Sequence, residues 1–168
     1  MSNESPIPDE TLGTLRGIPT QTLIDGLWVK GWPMGYIEGA RPLQLGQQMA
    51  GRAVTLRFVP HRPDLADDKP KGEASAEYVA IEACGPGEVL VIDAMGWRYS
   101  SIGGDIKFMR LMQRNVGGLV TDGAVRDSKV LKEYGFPVFS TSTTAKQGPA
   151  EFWPWQVNDA IQCGGVLV

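Results

Sequence analysis

Three residues near the middle of the chain are of types that can do chemistry together. Asp105 follows a glycine pair, and the adjacent Arg126 and Asp127 come after a spacer of twenty residues. The backbone amides of Ile106 and Lys107, in the first turn of a predicted helix, would be free to bind an anion. Carboxylates, a guanidinium and an anion-binding helix start suit a hard divalent cation that holds a small keto acid. Acids at helix starts are also ordinary caps, and Arg-Asp pairs are commonly surface ion pairs, so the residues alone leave both interpretations open.

The apolar pattern predicts the elements that would position these residues. A β-branched run at residues 89–92 favours a strand buried on both faces, and residues 119–121 favour a second strand. Between them a helix is predicted over residues 105–115, which rises roughly 16 Å, and about five extended residues return roughly 16 Å. Asp105 should therefore meet Arg126 and Asp127 at the carboxyl edge of the strands, where open α/β sheets bind ligands. The predicted apolar face of this helix is Ile106, Met109, Met112 and Val116.

The flanking segments extend this unit on both sides. A short helix at residues 127–134, stopped by Gly135, and a strand at residues 137–140 complete a β-α-β-α-β unit. Upstream, the pattern predicts a helix at 10–17, a second helix at 21–30 capped by Thr20, and a long strand at 49–60. The polar loop at 61–75 is long enough to serve as a lid. A helix at 74–84 should face inward through Ala76, Val79, Ala80 and Ile81.

The central motif resembles a known family. The pattern GGD, then GGLVTDGAVRD, then GFPVF contains a D-x20-R-D spacing, which is similar to the signature of the 4-hydroxy-4-methyl-2-oxoglutarate aldolases. That family shares its fold with the regulator of ribonuclease activity A, and is called RraA-like. The segments IPTQTLIDGL, GRAVTLRFVP and GPGEVLVIDA support the resemblance, which extends from about residue 12 to residue 168. Periodicity alone indicates α/β; the resemblance implies a layered β/β/α swivelling-domain fold.

The resemblance also implies an activity and a role for each residue. Asp127 would be the direct ligand of Mg²⁺ or Mn²⁺, Arg126 would bind the keto or enolate oxygen, and Asp105 would hold metal-bound water. Gly104 and the amides of Ile106 and Lys107 would bind the substrate carboxylate. The implied protein is a class II aldolase, a lyase that cleaves a 4-hydroxy-2-oxo acid such as 4-hydroxy-4-methyl-2-oxoglutarate to pyruvate and a second oxo acid. Oxaloacetate decarboxylation should accompany the cleavage, since both reactions pass through pyruvate enolate.

Alternatives to this enzyme stay open at the level of sequence. A non-catalytic regulator of ribonuclease activity would share the fold, although regulators resembling this chain typically lack the full acid set. A lyase or hydratase on sugar-derived 2-oxo acids would share the metal and the enolate. A methyltransferase is disfavoured because Gly103 and Gly104 open a helix without a G-x-G-x-x-G fingerprint. The distal half of the substrate and the physiological metal are not determined by these motifs.

The resemblance further implies a homotrimer or homohexamer with sites at subunit contacts. Residues 1–168 are predicted to form a single domain. Family members usually continue for several tens of residues past a segment such as Gly164 to Val168, so we expect the domain to be truncated at its carboxyl end.

Composition narrows the partners. With 168 residues and 42% hydrophobic residues, the chain can bury one sizeable core. A net charge of −3 and the absence of a Lys/Arg cluster argue against a nucleic-acid surface. The first ten residues resemble neither a signal nor a transit peptide, and no run is long enough for a membrane span, so a cytoplasmic protein with a small 2-oxo acid substrate is expected.

Several other residues have weaker claims to a role. Asp122 is a secondary candidate for the base, and Lys146 could contact substrate, although a solvated lysine is the more ordinary interpretation. His61 stands alone and cannot form a triad or a zinc site. The cysteines, Cys84 and Cys163, are predicted to be buried thiols.

Overall fold

The computed structural model describes residues 7–149 and 151–168. The helices are α1 (Asp9–Arg16), α2 (Thr20–Val29), α3 (Pro63–Ala66), α4 (Ala76–Ala83), α5 (Asp105–Gln113) and α6 (Ser128–Tyr134), with a 3-10 turn at Gly72–Ala74. The strands are β1 (Arg41–Pro42), β2 (Arg52–Pro60), β3 (Glu88–Asp93), β4 (Gly118–Thr121), β5 (Ala124–Val125), β6 (Val138–Ser140), β7 (Ser142–Thr143), β8 (Phe152–Val157), β9 (Gln162–Cys163) and β10 (Val166–Leu167).

A six-stranded sheet in the order β1-β6-β4-β3-β2-β8 organises the chain. Its four inner strands are parallel neighbours, whereas β1 and β8 pair antiparallel at the two edges. The central strand β3 is buried on both faces, as its continuous apolar run predicts. The predicted β-α-β-α-β unit is confirmed as β3-α5-β4-α6-β6, and its three strands lie side by side.

Two further layers cover the sheet. On one face, Leu90 and Ile92 belong to a core that includes Ile81 of α4, Phe108 of α5 and Leu131 of α6. On the other face, the alternate residues of β3 pack with the hairpin formed by β9 and β10; this second core contains Val89, Val91, Val120, Ile161 and Cys163. Helices, sheet and hairpin therefore form three layers, and the predicted layered β/β/α fold is confirmed.

The predicted faces of two helices are partly wrong. In α5 the buried residues are Phe108 and Leu111, while Ile106 is 78% exposed and Met109 is also exposed. In α4, Ala80 and Ile81 are buried as predicted, but Val79 is exposed. Apolar residues occupy most sides of these helices, so periodicity does not single out one face, and packing against the sheet selects it.

The ends of the chain's elements differ from prediction in a few places. Thr20 is the first residue of α2 rather than its cap, a position held by Pro19.

The sequence pattern did not predict the edge strand β8, because Pro154 interrupts it. Proline is tolerated on an edge strand, and the pairing of β2 with β8 shifts register near this residue. The loop at 61–75 contains α3 and the 3-10 turn. Across the described ranges, no helix combines the length and apolar character needed to cross a membrane.

Candidate active site

The glycine at the start of α5 allows two chain segments to approach closely. Gly104 immediately precedes α5, and the Arg126 amide donates a hydrogen bond to the Gly103 carbonyl at 3.1 Å. A Cβ placed on Gly104 would lie 2.0 Å from Asp127 Oδ2 and 2.8 Å from Arg126 Cγ. Any side chain at this position would have to displace the side chains of Asp127 and Arg126, because real Cβ atoms do not approach other atoms so closely. The helix start is therefore seated directly against Arg126 and Asp127.

The structure brings Asp105, Arg126 and Asp127 together, although their roles stay predictions. The Asp105 amide donates to Asp127 Oδ2 at 3.3 Å, and the same oxygen lies 3.2 Å from Arg126 Nε. Asp127 precedes α6 in a left-handed conformation, with φ of 56°, which turns its carboxylate back toward α5. The side chains of Arg126 and Asp127 are 37% and 35% exposed. Both charged groups can therefore contact a ligand from solvent.

The predicted anion site at the start of α5 is partly occupied by the protein itself. Asp105 Oδ1 accepts a hydrogen bond from the Ile106 amide at 2.8 Å. The amide of Lys107 is in the first helical turn, where the N–H groups lack partners within the helix. The Lys107 ammonium forms an ion pair with Glu77 of α4 at 2.6 Å. Among the two predicted amides, Lys107 is thus the better placed to receive a carboxylate.

A pocket of about 240 Å³ opens beside these groups. It brings together the start of α5, Arg126 and three parts of the chain that the sequence motifs did not indicate. Its lining is Tyr78, Ser101, Gly103, Gly104, Asp105, Ile106, Lys107, Arg126, Gln147, Gly148 and Pro149.

The unpredicted part of the lining comes from distant segments. Ser101 forms a parallel β-bridge with Gln147. A Cβ on Gly148 would lie 2.5 Å from the Ser101 carbonyl oxygen, so this approach also requires glycine. The only sequence signal for this segment is the turn-forming pair Gly148-Pro149, which does not reveal what the turn faces.

Asp122 does not belong to this pocket. It is 3% exposed, and its carboxylate accepts hydrogen bonds from the amides of Ala94 at 2.7 Å, Gly96 at 3.0 Å and Gly164 at 3.4 Å. Burial raises the pKa of Asp122, and the nearby charge of Asp93 acts in the same direction, although the three amides oppose the shift. Asp122 lines a separate cavity with Met95 and other residues, so the secondary candidate for the base does not lie with Arg126 in this structure.

The remaining candidates also lie outside the pocket. The Lys146 ammonium is exposed and pairs with Glu151, whose pKa is held at about 2 mainly by Lys146 and further by Ser100 and Trp97. His61 lies beside the Trp153 ring, with centroids 5.9 Å apart. The prediction of buried thiols is confirmed, because Cys84 and Cys163 are both buried and burial raises the pKa of each to about 12.

The residues present fit a hard divalent cation without enclosing it. Within residues 7–149 and 151–168, no group of three or more His, Cys, Asp or Glu side chains is arranged to hold a metal ion. The site instead offers the carboxylates of Asp105 and Asp127 on adjoining helix starts. Mg²⁺ commonly binds to one or two carboxylates and takes its other oxygen ligands from water and substrate. The donor set is therefore compatible with Mg²⁺ or Mn²⁺.

Comparison with known proteins places the chain among relatives of this architecture. The family model described as RraA-like, Aldolase/RraA, matches residues 20–168. A Halalkalibacterium halodurans protein described as "Putative 4-hydroxy-4-methyl-2-oxoglutarate aldolase" is 30% identical over 128 residues, which are 76% of this chain and 55% of that protein. The Legionella pneumophila protein DlpA is 30% identical over 137 residues, which are 80% of this chain and 21% of that protein.

A solved structure is similar over nearly the whole chain. Streptomyces coelicolor RraAS2, described as an unusual member of the RNase ES inhibitor RraA protein family, superimposes with a TM-score of 0.85 at 29% identity. The match covers 98% of this chain and 78% of that one. By contrast, the chain spans only about half of the first curated relative and about a fifth of the second.

Proposed function

This chain belongs to the RraA-like family, and on that premise we propose that it is a divalent-metal-dependent lyase. The proposed reaction is retro-aldol cleavage of a 4-hydroxy-2-oxo acid, such as 4-hydroxy-4-methyl-2-oxoglutarate, to pyruvate and a second oxo compound. Oxaloacetate decarboxylation is the proposed side activity. The observation that carries the proposal is that Asp105, Arg126 and Asp127 lie together where the chain approaches itself closely at Gly104. The Arg126 guanidinium and the Asp127 carboxylate are both partly exposed and can contact a ligand.

The metal would be held by Asp127, with Asp105 beside it. When bound, Mg²⁺ or Mn²⁺ supplies positive charge that stabilises the enolate oxygen as it develops. Arg126, which lines the pocket, contributes a fixed positive charge, and its ion pair with Asp127 holds the guanidinium near the helix start. The Lys107 amide would orient the substrate carboxylate.

Bond changes in the two reactions explain why the same residues serve both. In the aldol cleavage the C3–C4 bond breaks, the 4-hydroxyl proton leaves, and the electron pair forms the enolate of pyruvate. In oxaloacetate the C3–C4 bond also breaks, but CO₂ is released and no hydroxyl proton needs removal. We assign the removal of that proton to Asp105, directly or through water, since the Ile106 amide fixes its orientation through Oδ1.

The second candidate function is a non-catalytic regulator of ribonuclease activity. It is favoured by the similarity to RraAS2, whose description names an RNase ES inhibitor family. In a regulator the pocket would have no chemical role, so substitutions inside it would leave binding to a ribonuclease unchanged. We favour the enzyme because the close approach at Gly104 holds the Arg126 guanidinium and the Asp127 carboxylate together against the start of α5, beside Asp105, an arrangement that a surface-binding protein does not need.

The test is pyruvate release from oxaloacetate and from 4-hydroxy-4-methyl-2-oxoglutarate, with Mg²⁺ and then with excess EDTA. We expect metal-dependent release that falls at least about 100-fold in Asp127→Ala, the size of effect seen when one transition-state stabiliser is removed. Asp68→Ala is the matched control, because Asp68 is exposed in the loop before α4. Folded, Mg²⁺-loaded protein that releases no pyruvate, or Asp127→Ala that matches Asp68→Ala, would contradict the proposal.

A further inference from the structure

A second pocket, also of about 240 Å³, adjoins the one beside Arg126. The two pockets share part of their lining, namely Tyr78, Ser101, Lys107, Gly148 and Pro149. Beyond this shared wall the second pocket extends over the end of β2 and the edge strand β8. The second pocket is therefore the immediate neighbour of the first, on the side away from Arg126.

Four of the residues that line the second pocket are aromatic. Phe58 and Phe152 are almost fully buried and pack edge to face, with ring centroids 4.9 Å apart. The rest of the apolar lining is Tyr78, Trp153, Ile102, Pro149 and Pro154. At about 30 Å³ for each water-sized group, the space suits roughly eight heavy atoms, which is the size of a substituted ring.

Two residues of this lining each carry a buried polar atom without a hydrogen-bond partner. Among the residues that the structure describes, neither Ser75 Oγ nor Trp153 Nε1 has a hydrogen-bond partner. Ser75 is 5% exposed, and although it caps α4, its side chain makes no capping bond. Unpaired buried polar groups are costly and uncommon, so two of them in one pocket indicate that a ligand supplies the missing partners. An indole N–H can only donate, so the ligand must carry an acceptor.

The charged side chains around the pocket already have partners. Lys107 is paired with Glu77 inside the lining at 2.6 Å. Lys71 is largely exposed and pairs with Asp67 at 3.2 Å. Burying a carboxylate here would separate these pairs or leave the new charge uncompensated, which is costly in an apolar pocket. The pocket is thus suited to an uncharged group.

We propose that this second pocket binds the distal half of the substrate, and that this half is an uncharged, ring-sized apolar group with one hydrogen-bond acceptor that faces Ser75 and Trp153. The inference rests on the proposed function, whose substrate class it narrows. The preferred substrate would then be a 4-hydroxy-2-oxo acid with an aryl or cyclic substituent at C4, rather than a dicarboxylate such as 4-hydroxy-4-methyl-2-oxoglutarate.

Three probes and one reference substrate test the idea. The probes are 4-hydroxy-2-oxo-4-phenylbutanoate, its para-hydroxyphenyl analogue and 4-hydroxy-4-methyl-2-oxoglutarate; cleavage of the first two yields pyruvate and an aromatic aldehyde. Oxaloacetate is the reference because its only distal group leaves as CO₂. We expect kcat/KM to be highest for the hydroxyphenyl probe and lowest for the dicarboxylate. A preference for the dicarboxylate would overturn the inference.

Matched variants isolate the unpaired atoms. Trp153→Phe and Ser75→Ala should each lower the ratio of kcat/KM for the hydroxyphenyl probe to that for oxaloacetate by about three- to tenfold, as expected for one hydrogen bond. The controls are Trp155→Phe, which removes an indole that stacks with Lys69 outside the pocket, and Ser142→Ala, which removes a hydroxyl bonded to the Arg98 carbonyl. Equal ratios in variants and controls would overturn the inference.

A binding experiment separates failure of this inference from failure of the proposed function. Absence of oxaloacetate decarboxylation by the folded, Mg²⁺-loaded protein would contradict the lyase proposal alone. In that case ligand-detected NMR with 4-hydroxybenzaldehyde still reports on the pocket. Binding that weakens in Trp153→Phe but not in Trp155→Phe supports the subsite, and binding that is absent or unaffected overturns it.

Discussion

Two aspartates at the carboxyl edge of the same sheet, Asp127 beside Arg126 and Asp122 after β4, have different surroundings. Asp127 is about one third exposed, faces a guanidinium and accepts one long hydrogen bond from the Asp105 amide. Asp122 is almost fully buried and accepts from three amides of two different loops. The first carboxylate keeps coordination capacity for a ligand, whereas the second uses its capacity to join loops. The position of an acid after a strand therefore does not decide its role; its unused lone pairs do.

The largest expected effect comes from placing a side chain at Gly104, beside Asp127. Gly104→Ala should lower the rate of pyruvate release about a thousandfold, equivalent to about 4 kcal/mol, because the new methyl group would displace both Asp127 and Arg126. The backbone at Gly104 is extended, so alanine adds no torsional strain there. Gly13→Ala, where the added methyl meets nothing, is the control. Unchanged activity in Gly104→Ala would show that Asp127 and Arg126 need not lie against the start of α5.

Substitution of Asp122 should change the stability of the protein and leave its activity unchanged. Asp122→Ala removes the acceptor for the amides of Ala94, Gly96 and Gly164, and we expect it to lower the free energy of unfolding by about 3 kcal/mol. Urea denaturation measures this change, and the rate of pyruvate release by the remaining folded protein should match wild type. A selective loss of activity at normal stability would reverse the roles assigned to the two groups.

The stability contributions of Asp122 and Glu151 should depend on pH in opposite directions. Burial raises the pKa of Asp122 above its ordinary value of 3.8, so the stabilisation that comes from its protonation is fully present below pH 3.8 and is lost as the pH rises through the folded-state pKa. Glu151 has the opposite sign: its pKa of about 2 gives a contribution that is present above pH 4.5 and is lost as the pH falls toward 2.

Variants of the two acids make these opposite signs measurable. The difference in unfolding free energy between wild type and Asp122→Asn should shrink with rising pH, and that between wild type and Glu151→Gln should grow from pH 2 to pH 4.5. Denaturant unfolding at a series of pH values checks both. If the two free-energy differences changed with pH in the same direction, burial would not be what sets the pKa of Asp122.

The smallest effect is expected from a substitution at Lys146, which lies away from both Asp127 and Asp122. Lys146→Met should lower the free energy of unfolding only slightly, because Lys146 is exposed and solvent screens its ion pair with Glu151. Pyruvate release should be unchanged, since Lys146 does not line the pocket beside Arg126. Trapping of a substrate adduct on Lys146 by borohydride would contradict this and indicate Schiff-base chemistry.

Much of the central unit could be predicted because local signals agree there. Glycine pairs bound α5 on both sides, the strands are continuous apolar runs, and Gly135 ends α6 with a φ of 69°. The face of α5 could not be predicted, because Ile106, Phe108, Met109 and Leu111 together surround the helix, and only contact with the sheet buries Phe108 and Leu111. Strand β8 escaped detection because Pro154 breaks its pattern, although an edge strand accepts proline.

By itself, the sequence determined the strand and helix order of the central unit and the family signature that contains Asp105, Arg126 and Asp127, because these depend on periods and spacings within about forty residues. Only the tertiary structure separated Asp122 from Asp127, through the loops that bury the first and leave the second accessible. It alone also assembled the aromatic pocket, whose walls come from β2, the start of α4 and β8, segments distant in the chain. Burial and unpaired polar atoms are properties of that assembly, and no local pattern of residues encodes them.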